Sequence, residues 1–355
     1  MPSRILSLDN KKEWKSSLEK LPVEQQDIYF TPEYYELYEK NKDGKALCFI
    51  LEEGNDIALY PFLLNSVNQL GFKDLDREYF DIQGAYGYNG VVSSSYDINF
   101  IKGFYKEFKK YCQTTNIIAE FIRFHPLLRN QRFSEGFVNV IQNRRTVYLD
   151  LTREYRWIWE NEYSSNNRNM IRKATNKNLE ILISEDKNDY AEFYRLYMST
   201  MDELNAQKSY RYDLTYFNNL RKFLPLNQNI IKIKLQGTDI CIILIMIHSH
   251  YAHYHLSARH KDFKHFAANN LALDAAIKFA IKSNCKIFHF GGGFSSSEED
   301  PLLKFKSRFS TTQADFHIGK KIHNEKIYKK TIQQWETKFP KKNEIYSNML
   351  LKYRM

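Results

Sequence analysis

The spacing of hydrophobic and polar positions predicts an α/β half at the beginning of the chain. Thr31-Pro32-Glu33 combines a capping residue with a proline in the first turn, which indicates the start of a helix. A second helix is predicted from about Ile98 to Gln113, because aromatic residues recur there at helical spacing. β-branched and aromatic runs predict strands at 45–52, 56–63, 117–124 and 145–151. A glycine turn joins the first two strands into a hairpin.

The pattern after Thr152 predicts a second α/β half. Helices are expected at 157–177, 190–205 and 267–283, and strands at 230–235, 240–248, 251–258 and 286–290. Short turns at 236–239 and 249–250 join the first three strands, which are therefore expected to run antiparallel in succession. The last helix connects two strands, and a strand–helix–strand crossover within one sheet makes those strands parallel. We therefore expect an α/β fold with a mixed α+β sheet, divided into two domains at residues 1–151 and 152–355.

Composition and charge narrow the class of protein. With 43% hydrophobic residues and only 13 Gly and 8 Pro in 355 residues, the chain is not a low-complexity or disordered protein. The formal net charge of +10 predicts attraction to anions such as nucleotides, diphosphates, RNA or acidic membrane surfaces. Charge alone does not choose among these partners.

The cysteines and apolar runs indicate a reduced, cytoplasmic protein without a membrane segment. The opening residues lack the apolar region of a signal peptide, and the longest apolar run, 240–247, is too short to span a bilayer. Neither a CxxC pair nor metal-ligand spacing to a histidine is present. The four isolated cysteines are Cys48, Cys112, Cys241 and Cys285.

The segment FHFGGGFSSSEEDPLLKFKSRF, 288–309, is the strongest candidate for chemistry. A predicted strand stops at Gly291-Gly292-Gly293, and an acidic turn then leads to Phe305-Lys306. Glycines let the backbone approach another molecule closely, and successive N–H groups beside an ammonium suit a negatively charged oxygen or a phosphate. The alternative is a tight strand-to-helix turn followed by a surface lysine.

Histidines on the predicted strand 251–258 form a second candidate. Strict alternation would place His253, His255 and Ser257 on one face and Tyr254 on the other. No third ligand accompanies the two histidines, so we expect no metal site. A strand histidine is often a hydrogen-bonded core residue, but His255 could also act as a base for an amine.

Two further motifs could hold an acceptor. Arg168 and Arg172 lie four residues apart on a predicted helix, which makes them either a diphosphate clamp or part of an exposed basic face. Asp81 precedes a loop with Tyr86 and Tyr88, which suits contacts to a sugar or base or forms a packed aromatic turn.

These separated motifs resemble the tandem-GNAT acyltransferases. The matching strings are FHxGGG followed by DxLxxFKxxFS, the loop DxxxxYGYxG, the strand YHLSA, and a helix similar to NxRxxIRKAxKxGL. Asn176 and Asn178 depart from that helix, where lysine and glycine are usual. The group contains Fem-type peptidyl transferases, which add amino acids to peptidoglycan precursors. It also contains GNAT-type N-acyltransferases that modify amino sugars carried on nucleotides.

The resemblance implies two GNAT-like domains in tandem and a role for each motif. It implies that Lys306 stabilises the oxyanion of a tetrahedral intermediate, with the general base left open among His255, Asp300 and a water relay. It also implies that the second domain carries the acyl-donor cleft, although Ala267 and Asn269 stand where glycines are expected. The implied acceptor-binding residues are Asp81, Tyr86, Tyr88, Arg168, Arg172 and Phe305. The implied donor-binding residues are Ser257, Ala258, Ala267, Ala268, Asn269, Asn270, Gly291, Gly292 and Gly293.

Within this group, the resemblance is to sugar N-acyltransferases that use coenzyme A thioesters and no metal. The implied reaction moves an acyl group, such as 3-hydroxybutyryl, to the amine of a dTDP-3-amino-3,6-dideoxyhexose. Such a reaction would serve surface polysaccharide synthesis, for example lipopolysaccharide O-antigen or capsule. The sequence leaves the oligomeric state open, with a homodimer as one option. One alternative is a Fem-type transferase that uses aminoacyl-tRNA, and another is a non-enzymatic nucleic-acid-binding protein.

Overall fold

The structure is a computed structural model that describes residues 3–184, 188–206 and 210–355. The chain forms two compact units, one of Met1–Asn143 with Phe316–Met355 and one of Arg144–Asp315. Residues 316–355, which the sequence pattern groups with the second domain, thus lie in the first unit. The physical reason is a long-range strand pairing, which places Ile318 opposite Arg123.

Both units contain helices and strands. The helices are α1 (Lys11–Glu19), α2 (Pro32–Lys40), α3 (Ile98–Thr114), α4 (Tyr155–Asn161), α5 (Ser165–Thr175), α6 (Asn188–Glu203), α7 (Leu214–Phe223), α8 (Ala268–Lys282), α9 (Pro301–Lys306), α10 (Glu325–Lys338) and α11 (Pro340–Tyr346). The strands are β1 (Ser3–Ser7), β2 (Lys45–Glu53), β3 (Asp56–Ser66), β4 (Phe80–Gln83), β5 (Val92–Ser93), β6 (Ile117–Arg123), β7 (Asn139–Asp150), β8 (Glu180–Ser184), β9 (Gln228–Leu235), β10 (Thr238–His248), β11 (Tyr251–Arg259), β12 (Ile287–Gly292) and β13 (Gln313–Ile322).

In the first unit, the strands follow the order β1-β2-β3-β4-β6-β13, with β5 paired to β3. The predicted hairpin is confirmed as β2 and β3, and β4 pairs in parallel with β6. Thr31 caps α2 by accepting a hydrogen bond from the Tyr34 amide, as the sequence predicts. The aromatic face of α3 packs on β2, where Phe104 meets Phe49 edge to face.

In the second unit, the strands follow the order β7-β12-β11-β10-β9-β8. The predicted antiparallel succession of β9, β10 and β11 is confirmed, and so is the parallel pairing of β11 with β12. Helix α8 connects those two parallel strands and buries Leu271, Ala272 and Ala276 in the core. Among the described residues, no helix combines the length and the apolar character that crossing a membrane requires.

The parallel strands β11 and β12 stay together over a short distance only. Their pairing ends at His253 and His289. Beyond this point β11 continues along β10 to Arg259, while β12 continues along β7 to Gly292. A gap therefore opens between the two strands, with Tyr254 on β11 on one side and Gly291 and Gly292 on β12 on the other.

Candidate active site

The glycine run lies on the β12 side of the gap and has specific steric reasons to be glycine. Gly291 has φ +76°, a conformation that residues with a side chain rarely adopt. A Cβ atom on Gly293 would lie 2.4 Å from Oδ1 of Asp300. The run therefore allows the turn after β12 to pack directly against the start of α9.

Lys306 brings an ammonium group to the gap from the end of α9. Its side chain is 6% exposed, and Nζ donates a hydrogen bond of 2.6 Å to the carbonyl oxygen of Gly292 on β12. The same Nζ lies 5.8 Å from the ring centroid of Tyr254 on β11. Burial lowers the pKa of Lys306 to about 7, and Asp300 acts in the opposite direction. Lys306 thus contacts both separated strands with a buried, titratable cation.

Asp300 organises the loop that leads to Lys306. Its carboxylate accepts hydrogen bonds from the amides of Leu302 and Leu303 at 2.9 and 3.0 Å and so caps α9. It also accepts from the amide and hydroxyl of Ser295 at 2.8 and 3.0 Å. Burial raises the pKa of Asp300, but the hydrogen bonds from Leu303, Ser295 and Leu302 outweigh burial and lower the pKa overall.

The strand β11 contains an irregularity that the sequence pattern does not reveal. Leu256 pairs with Leu244, but Tyr254 pairs with Ile245, so His255 is the additional residue of a β-bulge. In this register Tyr254 lies opposite Ile245 and Ser257 lies opposite Ile243, and positions two apart on β10 share one face of the sheet. The predicted strict alternation is therefore wrong at Ser257, because the inserted residue brings the Tyr254 and Ser257 side chains to the same face.

The histidines of the second unit are buried. Nε2 of His255 lies 3.0 Å from the hydroxyl of Tyr216 on α7. Burial, assisted by the nearby His253, lowers the pKa of His255 to about 3, so its imidazole is neutral at physiological pH. At the end of the parallel pairing, Nδ1 of His253 lies 3.4 Å from Nδ1 of His289.

The predicted donor-binding residues at the start of α8 have a distinctive backbone. Ala267 has φ +55°, the left-handed conformation that favours glycine, and α8 begins at the next residue, Ala268. Asn269 accepts a hydrogen bond from the Cys241 thiol at 3.1 Å, and Asn270 donates one to Asn167 at 2.8 Å. The backbone turn expected of a glycine is therefore present although the residue is alanine. Ala258, on β11, is buried.

The two arginines of α5 differ in their surroundings. Nη1 of Arg168 donates to the carbonyl oxygens of Trp159, Glu160 and Tyr163 at 3.2, 3.1 and 2.6 Å, so this arginine caps the end of α4. Arg172 is exposed, and its guanidinium carbon lies 5.5 Å from the ring centroid of Trp159. The helix places both arginines on one face, but it presents Arg172 to solvent.

The remaining candidates divide between the two units. Phe305, in the second unit, packs edge to face on Phe309. In the first unit, both carboxylate oxygens of the buried Asp81 accept from Nε of Arg354, at 2.8 and 2.7 Å. Burial raises the pKa of Asp81, and Arg354 opposes this increase. The Tyr86 carbonyl oxygen accepts from the Tyr34 hydroxyl at 2.7 Å, and the Tyr88 ring packs on Tyr29 and His125.

The sequence pattern did not single out two residues that contact the site. Tyr216 reaches His255 from 39 positions away, and Arg144 lies 149 positions from Gly293. Nη1 of Arg144 donates to the carbonyl oxygens of Gly293 and Phe294 at 3.0 and 3.2 Å and so holds the turn after β12. No local motif marks either residue, because each contact depends on long-range packing.

Comparisons with known proteins concern the fold of the chain and one segment of the second unit. Residues 163–300 match the family model described as an acetyltransferase (GNAT) domain. Among solved structures, FemX is similar at a TM-score of 0.69 with 15% identity, covering 93% of this chain and 99% of FemX. L-PGS from Bacillus licheniformis gives a TM-score of 0.56 with 10% identity, covering 87% of this chain and 90% of that one.

A tandem GNAT protein from the clavulanic acid biosynthesis pathway is also similar, with a TM-score of 0.51 and 7% identity. That similarity covers 90% of this chain and 98% of the other. No curated protein gives a significant sequence match. At these identities the structural similarity concerns the fold. The chain therefore has a GNAT-type acyltransferase fold, and its segment 163–300 matches the acetyltransferase domain of that type.

Proposed function

We propose that the protein is an N-acyltransferase that moves an acyl group from a coenzyme A thioester to an amine. The observation that carries this proposal is the gap between β11 and β12, with the ammonium of Lys306 in contact with both strands. A cation held in a buried site stabilises a developing negative charge more strongly than it would in water.

The proposed reaction is a direct transfer. The amine nitrogen attacks the thioester carbonyl carbon, and the carbonyl oxygen becomes an oxyanion that Lys306 stabilises. Collapse of the tetrahedral intermediate breaks the carbon–sulfur bond and releases the thiolate of coenzyme A. The backbone amides of Ala268 and Asn269 at the start of α8 would bind the diphosphate of the donor, since the amides of Asn270 and Leu271 already donate to the Ala267 carbonyl oxygen.

Two candidates for the general base differ in availability. The carboxylate of Asp300 already accepts four hydrogen bonds, which engage its oxygens in the loop and in the cap of α9 and leave it poorly placed to take a proton. His255 is a neutral imidazole on the strand that lines the gap. Because the pKa of His255 is low, this imidazole would pass the amine proton on to the departing sulfur. We therefore assign proton transfer to His255 and loop organisation to Asp300.

The proposed acceptor is an amino sugar linked to a nucleoside diphosphate, of the dTDP-3-amino-3,6-dideoxyhexose type. The exposed guanidinium of Arg172 beside the Trp159 ring suits a phosphate next to an aromatic or sugar surface. Arg168 and Asp81 are engaged within the protein by Trp159 and Arg354, so we assign them to support and not to direct contact. Tyr86 and Tyr88 stay candidates for contact with the acceptor.

A second candidate is a Fem-type transferase whose donor is aminoacyl-tRNA. The formal net charge of +10 suits tRNA as well as it suits a nucleotide sugar. Binding calorimetry with coenzyme A, dTDP, UDP and bulk tRNA at two salt concentrations separates the two functions. Binding of coenzyme A and of one nucleoside diphosphate supports the sugar acyltransferase. Salt-sensitive binding of tRNA without binding of coenzyme A would overturn it.

Variants on α5 sharpen this measurement. Arg172→Ala should weaken binding of the nucleoside diphosphate by at least about tenfold, because it removes a charge-assisted hydrogen bond. Lys173→Ala is the matched control, since it removes a neighbouring exposed cation from the same helix. Equal losses in the two variants would point to a diffuse charge effect and would contradict a specific role for Arg172.

A further inference from the structure

Tyr216 is a buried residue with a fixed orientation next to the proposed proton acceptor. Its side chain is fully buried, and its ring is stacked on that of Tyr212 with centroids 3.9 Å apart and planes at 15°. Its amide donates a hydrogen bond of 2.9 Å to Oδ1 of Asp213, which caps α7. Both the backbone and the ring of Tyr216 are therefore held before any substrate binds.

His255 lies at a place where the strand itself constrains a side chain poorly. As the additional residue of a β-bulge, it is skipped in the pairing register between β10 and β11. A hydrogen bond from another element can supply the orientation that the regular ladder does not. The Tyr216 hydroxyl, 3.0 Å from Nε2 of His255, makes such a contact from α7.

We propose that Tyr216 is a positioning residue that fixes the ring orientation and the tautomer of His255 for the transfer reaction. This inference rests on the proposed function. In the assigned tautomer, Nε2–H donates to the Tyr216 oxygen, and Nδ1 is the atom that takes the proton from the amine. The amine N–H bond breaks as the Nδ1–H bond forms, and the same proton then moves to the sulfur of coenzyme A.

The hydrogen bond to Tyr216 matters at the moment when His255 carries the transferred proton. The imidazolium has an N–H at both ring nitrogens, and the phenolic oxygen accepts the one at Nε2. Burial and the neighbouring His253 both disfavour the charged ring. The hydroxyl oxygen of Tyr216, 3.0 Å from Nε2 of His255, can therefore stabilise the transient imidazolium by accepting a hydrogen bond from Nε2–H.

The test uses Tyr216→Phe in the full chain, with Tyr212→Phe as the matched control from the same ring stack. Nitrogen-15 NMR of the histidine rings in the ligand-free protein reports the His255 tautomer, and His255→Ala identifies its signals. Tyr216→Phe should shift the His255 tautomer population and lower kcat about tenfold with KM unchanged. Tyr212→Phe should change neither quantity.

Two outcomes would overturn the proposal. The first is a His255 tautomer population that is the same in Tyr216→Phe as in the wild type. The second is a loss of kcat on Tyr216→Phe that is as large in a His255→Ala background as in the wild type, because Tyr216 would then act independently of His255. Failure of the proposed function is distinguishable from both. If the wild-type protein transfers no acyl group to any amino sugar nucleotide, the NMR measurement alone decides whether Tyr216 controls the His255 ring.

Discussion

Replacing Lys306 by methionine should make the protein more stable at about pH 6, and this gain should shrink as the pH rises. The ammonium has an ordinary pKa of 10.5, and burial lowers this pKa to about 7 in the folded protein. At pH values below both pKa values, this shift means that keeping Lys306 protonated costs the folded protein about 5 kcal/mol, since each pKa unit is worth about 1.4 kcal/mol. This cost is the charging penalty. Methionine has a similar length and carries no charge.

The sign of the pH dependence follows from proton binding. Between pH 7 and 10.5 the unfolded chain binds the lysine proton more tightly than the folded chain does, so wild-type stability rises with pH in that range. The charging penalty is fully present at about pH 6 and falls to about 2 kcal/mol at about pH 9. The advantage of Lys306→Met over the wild type should therefore shrink by about 3 kcal/mol between these conditions.

Urea denaturation of both proteins at the two pH values measures this difference. The substitution also removes the hydrogen bond to Gly292, which costs about 1–3 kcal/mol, but that loss is common to both conditions. Lys304→Met is the control, because Lys304 is an exposed lysine on the same helix. A stability difference between Lys306→Met and the wild type that does not change with pH would refute the buried-cation argument.

Further predictions concern activity and local packing. Transfer activity should fall as the pH rises through the pKa of Lys306, since the proposed oxyanion contact needs the charged ammonium. A pH–rate profile measures this, and activity that rises over the same range would instead identify Lys306 as a base. Gly293→Ala should destabilise the protein by about 1–3 kcal/mol in thermal unfolding, because the added Cβ meets Asp300, whereas an unchanged melting temperature would contradict the packing. Arg168→Ala should lower stability by about 1–3 kcal/mol in urea denaturation while Arg172→Ala should not, because only the former caps α4.

Local patterns were sufficient for many elements of the fold. The cap at Thr31, the hairpin of β2 and β3, and the succession β9, β10, β11 were each predicted correctly, because short-range turn and capping chemistry specifies them. The parallel arrangement of β11 and β12 was also predictable, because a helical crossover between strands leaves little topological choice. The glycine run and Lys306 were singled out from their residue types together with the family resemblance, and their roles stay predictions.

The site needed information that no local pattern contains. Alternation failed at His255 because a β-bulge depends on how β10 and β11 pair. Arg168 and Arg172 look equivalent in sequence, yet one caps α4 and the other faces solvent. Asp81 looked like a ligand for a substrate, but its partner Arg354 lies 273 positions away.

The sequence by itself determined the class of fold, the order of the elements and the residue types available for chemistry. These features follow from periodicity, capping and turn residues, which act over a few positions. Only the tertiary structure decided which of those residues face the gap between β11 and β12 and which serve as internal supports. Burial and partners from distant segments set the pKa of Lys306 and the surroundings of His255, and both depend on the packing of the whole unit.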